Sequence, residues 1–250
     1  IHKQKNIETI NSLSDLKNLG FTKIYSVFDC EEAKKISENA SKLIKDKKHI
    51  SKNNDLSVTI DRPCDNLNLS LEKIFNNKKL KLILENYFFS DYRVKWLDYY
   101  RSYPSKNPKQ SWLWHFDNYP IGIIKGMILF TDQDNKSGAM SYLDKKRSFS
   151  IIKEKYYGLP GNDRKTDISA FLKKNNLSET PFSLDGKSGD LYLFSGNQMH
   201  RANPPKTGFR DVATFMIIPT DKSENLNINY DEVQSEYNFP RNPWVEINKK

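Results

Sequence analysis

Four residues in this chain have types and spacing suited to chemistry. His115 and Asp117 stand two apart in Trp112-Leu-Trp-His-Phe-Asp-Asn-Tyr-Pro120, so an extended backbone turns both to one face. The opposite face carries Trp112, Trp114 and Phe116, which read as core. His200 comes much later in the chain, and Arg210 opens the apolar run Asp211-Val-Ala-Thr-Phe-Met-Ile-Ile218. Two imidazoles and one carboxylate make the facial ligand set of non-haem Fe(II) centres, which leaves the other side of the metal free. An inward arginine at a strand start needs an anion, because an unpaired buried guanidinium is costly. That anion is either a carboxylate ligand bound bidentately or a structural partner, Asp190 or Asp211. His-x-Asp alone has a plainer reading, an imidazole satisfied by one hydrogen bond.

The elements that must position these residues follow from periodicity. Residues 29–47 predict an amphipathic helix with Asp29 as N-cap and Glu32 completing a capping box. A second helical region runs from about Ser70 to Tyr87, broken near Asn76-Asn77. From about residue 91 β-formers dominate, and strands are predicted at Tyr92–Tyr103, Trp112–Asp117, Gly122–Thr131, Ala139–Leu143, Asp190–Phe194 and Asp211–Pro219. Turn residues such as Ser195-Gly-Asn197 separate several of them. Residues 144–181 are polar and Lys-rich, with a helix expected from about Asp167 to Lys174. They read as an insertion of the lid or binding-loop kind. The expected organisation is one domain over 1–250. It has a helical part to about residue 90, an antiparallel β core to about 220 and a tail from 221. The fold class is mainly β with flanking helices, a jelly roll (cupin-like).

Composition bounds the partners. With 250 residues, 28% charged and 12% aromatic, the chain is globular in type and long enough for a sizeable core. The net charge is +9, but the basic residues are mostly Lys scattered among Asn and Ile, with no basic run or Arg-rich arm. That argues against nucleic acid as the partner. No apolar run approaches the roughly 20 residues of a spanning helix, and no secretory core opens the chain. The expectation is a cytoplasmic protein without a membrane partner. Ile1 is not Met, which leaves an upstream segment open. Cys30 and Cys64 have no metal-type spacing and read as free thiols. His2 and His49 sit in polar, Lys-rich surroundings and read as surface residues.

Taken in order, these motifs resemble a family. Trp114-His-Phe-Asp117, the acidic turn ending at Gly138, Gly189-Asp-Leu-Tyr-Leu-Phe194 and His200-Arg-Ala-Asn-Pro-Pro-Lys-Thr-Gly-Phe-Arg210 are similar to the phytanoyl-CoA dioxygenase (PhyH-like) group of 2-oxoglutarate-dependent Fe(II) oxygenases. The opening Gly20-Phe21 is also similar, and the resemblance spans roughly residues 20–219. It implies a double-stranded β-helix with Fe(II) on His115, Asp117 and His200. It implies 2-oxoglutarate paired with Arg210, and O₂ as co-substrate. The implied reaction hydroxylates a C–H bond of a small or medium-sized substrate, an anionic one included, with release of succinate and CO₂. Halogenating relatives replace the carboxylate ligand, so Asp117 points to hydroxylation or another oxygenation. Two departures stand out. Ala202 takes the place of a serine that contacts the co-substrate, and Leu143-Asp-Lys-Lys-Arg-Ser148 replaces a Gly-Ser-His motif.

Other site residues are candidates with two readings each. Tyr99, Arg101 and Tyr103 alternate toward one face of their strand and either help hold 2-oxoglutarate or pack in the core. Lys125 points into the barrel mouth or out to solvent. Asn118 and Tyr119 flank the ligands as candidates for substrate contact. Lys145, Lys146 and Arg147 meet an anionic substrate or form a solvated face. A rival from another class is a cupin-like protein that binds a carbohydrate or a partner without turnover. The oligomeric state is not legible.

Overall fold

The expected order, helices first and strands afterwards, holds only in outline. The structure is a computed structural model that describes residues 2–54, 56–117, 119–158 and 164–221. Asn118, the tail from 222 onward and the side chain of His2 lie outside the described residues. Helix α1 (His2–Asn18) leads to β1 (Phe21–Ile24), α2 (Cys30–Lys45), β2 (Ile50–Asn53) and β3 (Ser57–Ile60). Three strands therefore fall in the part expected to be helical. Then come α3 (Pro63–Asn66), α4 (Leu71–Phe75), α5 (Lys78–Phe88), β4 (Asp91–Ser102), β5 (Ile124–Leu129) and β6 (Ser141–Tyr142). Helices α6 (Lys145–Lys153) and α7 (Ser169–Lys174), then β7 (Phe182–Ser183), β8 (Leu191–Ser195), β9 (His200–Arg201) and β10 (Arg210–Thr220) complete the order.

Local chemistry explains the helices. Asp29 accepts from Glu32 N at 2.8 Å and Glu32 accepts from Asp29 N at 3.1 Å, the predicted capping box. Ala33, Ile36 and Ala40 then face inward. The break between α4 and α5 falls at Asn76-Asn77, as expected. There the Asn77 side chain accepts from Leu80 N and restarts the helix.

Seven strands form one antiparallel sheet in the order β1-β8-β5-β10-β4-β3-β2, and three form a smaller one, β7-β6-β9. Alternation sorts the large sheet into two faces. Leu97, Tyr99, Ile124, Ile128, Leu191, Leu193, Ala213 and Phe215 face α2, α4 and α5 and make the main core. Met127, Leu129, Tyr192, Phe194 and Val212 face inward, against Met140, Tyr142 and Leu184 around the small sheet. This is the expected jelly roll. Among the described residues, no helix is long and apolar enough to cross a membrane.

Two regions depart from expectation. Trp112–Asp117 is not a regular strand. Gln110–Trp112 forms a 3₁₀ turn, followed by single bridges at Trp114–Lys165 and His115–His200. Pairing stops there because Asp117 N already turns to Gly196 O, at 2.7 Å. The insertion at 144–181, expected as a lid or binding loop, packs in good part as a support. Ile151, Tyr156, Ile168 and Leu172 form a buried cluster with Trp114, Phe116, Leu143 and Met199. Arg147 is part of that support, paired with Asp144 at 2.9 Å and buried rather than solvated. Lys145 and Lys146 are exposed. Cys30 and Cys64 are free thiols, and His49 is exposed.

Candidate active site

The backbone bridge between His115 and His200 builds the site. His115 N donates to His200 O at 3.0 Å and His200 N to His115 O at 2.8 Å. Direct cross-strand partners project to the same side, so the two rings lie 4.4 Å apart between centroids. Each Nδ1 is held by the carbonyl two residues earlier, Leu113 O at 2.8 Å and Gln198 O at 2.7 Å. A carbonyl only accepts, so Nδ1 carries the proton and Nε2 keeps its lone pair. Both Nε2 atoms face Asp117, at 3.8 Å from Oδ1 and 3.7 Å from Oδ2. The three ligand atoms lie within 4.8 Å of one another, close enough to hold one metal ion.

Electrostatics suits that role. Burial, then the neighbouring His200, push His115 well below the usual histidine range. Burial also pushes His200 down. Both rings are therefore neutral near pH 7, the form that binds metal. Burial works to raise the Asp117 carboxyl, but Lys125, His200 and His115 outweigh it and hold the group well below the usual carboxylate range. Lys125 points into the barrel, with Nζ 3.0 Å from Asp117 Oδ2. Gly196 gives the carboxylate its room. A Cβ there would come within 2.5 Å of Asp117 Oδ2.

Arg210 lies on the same inner side, 1% exposed. Neither expected structural partner is available to it. Asp211 is taken by Arg101, and Asp190 accepts from Ser26 N and Lys187 N and pairs with Lys23. Arg210 donates to Gln133 Oε1 at 3.0 Å and toward Met127 Sδ at 3.2 Å, while Nη1 has no hydrogen-bond partner among the described residues. Gln133 Nε2 and the hydroxyl of Ser102, the cross-strand partner of Arg210, are likewise buried without one. A buried cation beside two unsatisfied polar atoms is a place built for an anion. The donor set and this cradle fit iron and a dicarboxylate.

The other candidates divide. Tyr99 and Arg101 face the helices, opposite the triad. Tyr99 packs on Phe130, and Arg101 makes a bidentate pair with Asp211 and donates to Ser37 O. Neither reaches the cradle, because the inner residue of this strand stretch is Tyr100, which acts on Arg210. Tyr103 continues the Tyr99 and Arg101 side of the alternation, one position beyond the end of β4, and its N donates to Leu56 O. Tyr119 lies near Lys125, its ring centroid 5.9 Å from Nζ. Asn118 is outside the described residues. Ala202 uses its N to reach Ser111 O. Sequence reading missed Tyr100, Ser102, Gln133 and Gly196. Gly196 alone left a signal, as the glycine of a turn just before His200.

No family model matches the chain, and no curated protein sequence matches it. Solved structures do. SnoK, a non-heme α-ketoglutarate-dependent carbocyclase from nogalamycin biosynthesis, superposes with a TM-score of 0.61 at 13% identity, over 90% of this chain and 89% of that one. The epimerase SnoN, solved with Fe³⁺, α-ketoglutarate and nogalamycin RO, gives 0.60 at 12% identity over 90% and 89%. HygX from Streptomyces hygroscopicus, solved with nickel and 2-oxoglutarate, gives 0.56 at 15% identity over 86% and 88%. At these identities the likeness is one of fold, and the chain has the double-stranded β-helix of these enzymes.

Proposed function

We propose that this protein is a non-haem Fe(II)- and 2-oxoglutarate-dependent oxygenase that hydroxylates a C–H bond of a small or medium-sized molecule. The observation that carries this reading is the unpaired, buried Arg210 on the same inner face as two neutral histidines and an ionised carboxylate. The solved neighbours that bind iron or nickel with 2-oxoglutarate support it. His115 and His200 would hold Fe(II) through Nε2, with Asp117 as the anionic ligand. Arg210, with Gln133 and Ser102, would take the far carboxylate of 2-oxoglutarate. Bound together, iron and 2-oxoglutarate supply an O₂-dependent oxidation in which the co-substrate leaves as succinate and CO₂. The chain's own part is geometry. Leu113 O and Gln198 O fix the tautomer and tilt of each ring, and Gly196 leaves space for the carboxylate. The inner wall of Met127, Phe194 and Val212 keeps water out.

One observation favours a second reading. Lys125 already neutralises Asp117, an arrangement that serves a cupin-like binding protein without turnover. Anaerobic addition of Fe(II) and 2-oxoglutarate separates the two. The oxygenase shows a weak visible charge-transfer band, and then forms succinate when O₂ is admitted. No band, or a band unchanged in His115→Ala and Arg210→Ala, rules out the oxygenase.

A further inference from the structure

The insertion brings a second arginine to the metal face. Trp114 pairs antiparallel with Lys165, its N donating to Lys165 O at 2.9 Å. The same register sets Arg164 opposite His115, so both project to one side. The bridges thus make a row across three chain segments, His200, His115 and Arg164. Their neighbours Arg201, Trp114 and Lys165 form the opposite row, where the Arg201 guanidinium lies 5.0 Å from the Trp114 ring. The support beneath Arg164 is firm. Tyr156 Oη donates to Trp114 O and accepts from Lys165 N, each at 2.8 Å. Arg164 Nε donates to Gly158 O at 2.8 Å. Gly158 has φ +56 and lies so close that a Cβ would meet His115 Cα at 2.6 Å.

Arg164 is half-buried, and among the described residues no carboxylate forms an ion pair with it. Its charge nevertheless acts on His115, Asp117 and His200. Arg210 approaches from the other flank, where Gly138 and Asn203 border it. A dicarboxylate held by the iron and Arg210 leaves Arg164 without an anionic partner among the described residues. The charge count sharpens this. Lys125, Arg164, Arg210 and a divalent ion face Asp117 and a dianionic co-substrate, while Asp98 is exposed and feels Lys52 ahead of Lys125. Among the described residues positive charge remains in excess.

We propose that Arg164 binds an oxyanion of the substrate, a carboxylate or phosphate carried close to the carbon that is oxidised. This rests on the iron and 2-oxoglutarate reading above. It makes the insertion both the support of the His115 segment and the source of substrate specificity.

The test uses trifluoroacetate as the anionic probe and trifluoroethanol as its neutral counterpart. The full chain is loaded with Mn(II) and saturating 2-oxoglutarate, and ¹⁹F relaxation reports how closely each probe approaches the metal. Expected is an enhancement for trifluoroacetate about tenfold above that for trifluoroethanol, lost in Arg164→Gln and partly restored in Arg164→Lys. Mn(II) and 2-oxoglutarate affinities should move by no more than a few-fold in either variant, the scale of removing one nearby cation. Equal enhancement of the two probes, or an enhancement that survives in Arg164→Gln, would overturn the assignment. Failure of the wild-type protein to bind Mn(II) or 2-oxoglutarate is a different result, and it overturns the iron reading and this assignment together.

Discussion

Arg101 and Arg210 sit one register step apart on neighbouring strands, since Arg210 pairs with Ser102 and Asp211 with Arg101. Both are buried, at 5% and 1% exposure. They project to opposite faces of the same sheet, and their surroundings differ completely. Arg101 is saturated: Asp211 takes Nε at 2.7 Å and also Nη2, Ser37 adds a carbonyl, and Phe209 stacks 3.7 Å from the guanidinium. Arg210 has one amide oxygen, a thioether, the neighbouring Tyr100 hydroxyl and an unpartnered Nη1, with no carboxylate paired to it among the described residues. The same side chain is satisfied on one face and keeps an unspent donor on the other. Burial alone therefore does not mark an arginine as functional, whereas burial with an unspent hydrogen-bonding capacity does.

Substitution should separate the two faces. Arg101→Ala leaves Asp211 charged, buried and unpaired, so thermal or urea unfolding should report a loss of about 3–5 kcal/mol. Arg210→Met removes an unsatisfied buried cation and should leave folding stability level or raised. Calorimetric titration of the same variant should show 2-oxoglutarate affinity down by about a hundredfold, as expected when a buried charge pair loses one partner. If Arg210→Met unfolds the protein as Arg101→Ala does, the contrast between the faces is wrong.

Reading the sequence separated these faces poorly. Strands β5, β8 and β10 were legible because their apolar runs end in glycine and aspartate turns, and the meeting of His115, Asp117 and His200 was legible through the order of motifs the family resemblance supplies. The parity of β4 was not. Its two faces both mix aromatic and charged residues, so alternation gives no inside or outside, and the structure turns Arg101 to the helices and Tyr100 to the inner side. Strands β2 and β3 are four residues each, and β2 is largely exposed, too weak a pattern to detect. Helix α1 carries apolar residues that stay exposed, Ile7 and Ile10, so it lacks a clear face. Arg164 was invisible because its position follows from a single bridge between distant segments.

The inner face should also be the more sensitive to one added carbon. Gly196→Ala pushes a methyl against Asp117 Oδ2. Metal affinity measured by competition with a chelator should fall about 10–100-fold, the scale of displacing a ligand's support. The cost to stability should be about 1–3 kcal/mol. On the outer face, Ala213→Gly should change stability by about 1 kcal/mol and metal affinity not at all.

Acid should act mainly through the inner face. His115 and His200 stay neutral in the folded chain below the pH at which an unfolded histidine takes a proton. The unfolded state therefore binds more protons as pH falls through about 6.5, and stability must drop with pH there. Asp117, held low when folded, adds a loss at more acid pH. Metal-free protein should melt at lower temperature at pH 5 than at pH 7.5. Replacing both histidines with asparagine should flatten that slope, and an unchanged slope would place the titrating groups elsewhere.

The smallest expected effect concerns Lys125, where two forces oppose. Its ammonium holds Asp117 ionised and in place, which assists a metal, yet it is itself a cation close to where the metal would bind. A bound divalent ion would itself hold Asp117 ionised without Lys125, whereas the repulsion between two cations vanishes with it. Repulsion should win. Lys125→Met is expected to raise Fe(II) affinity a few-fold, roughly 1 kcal/mol, while lowering the stability of the metal-free protein by a similar amount. A fall in Fe(II) affinity would instead show that Lys125 acts by orienting the carboxylate. The inner face would then be preorganised by an ion pair, as the outer face is by Arg101 and Asp211.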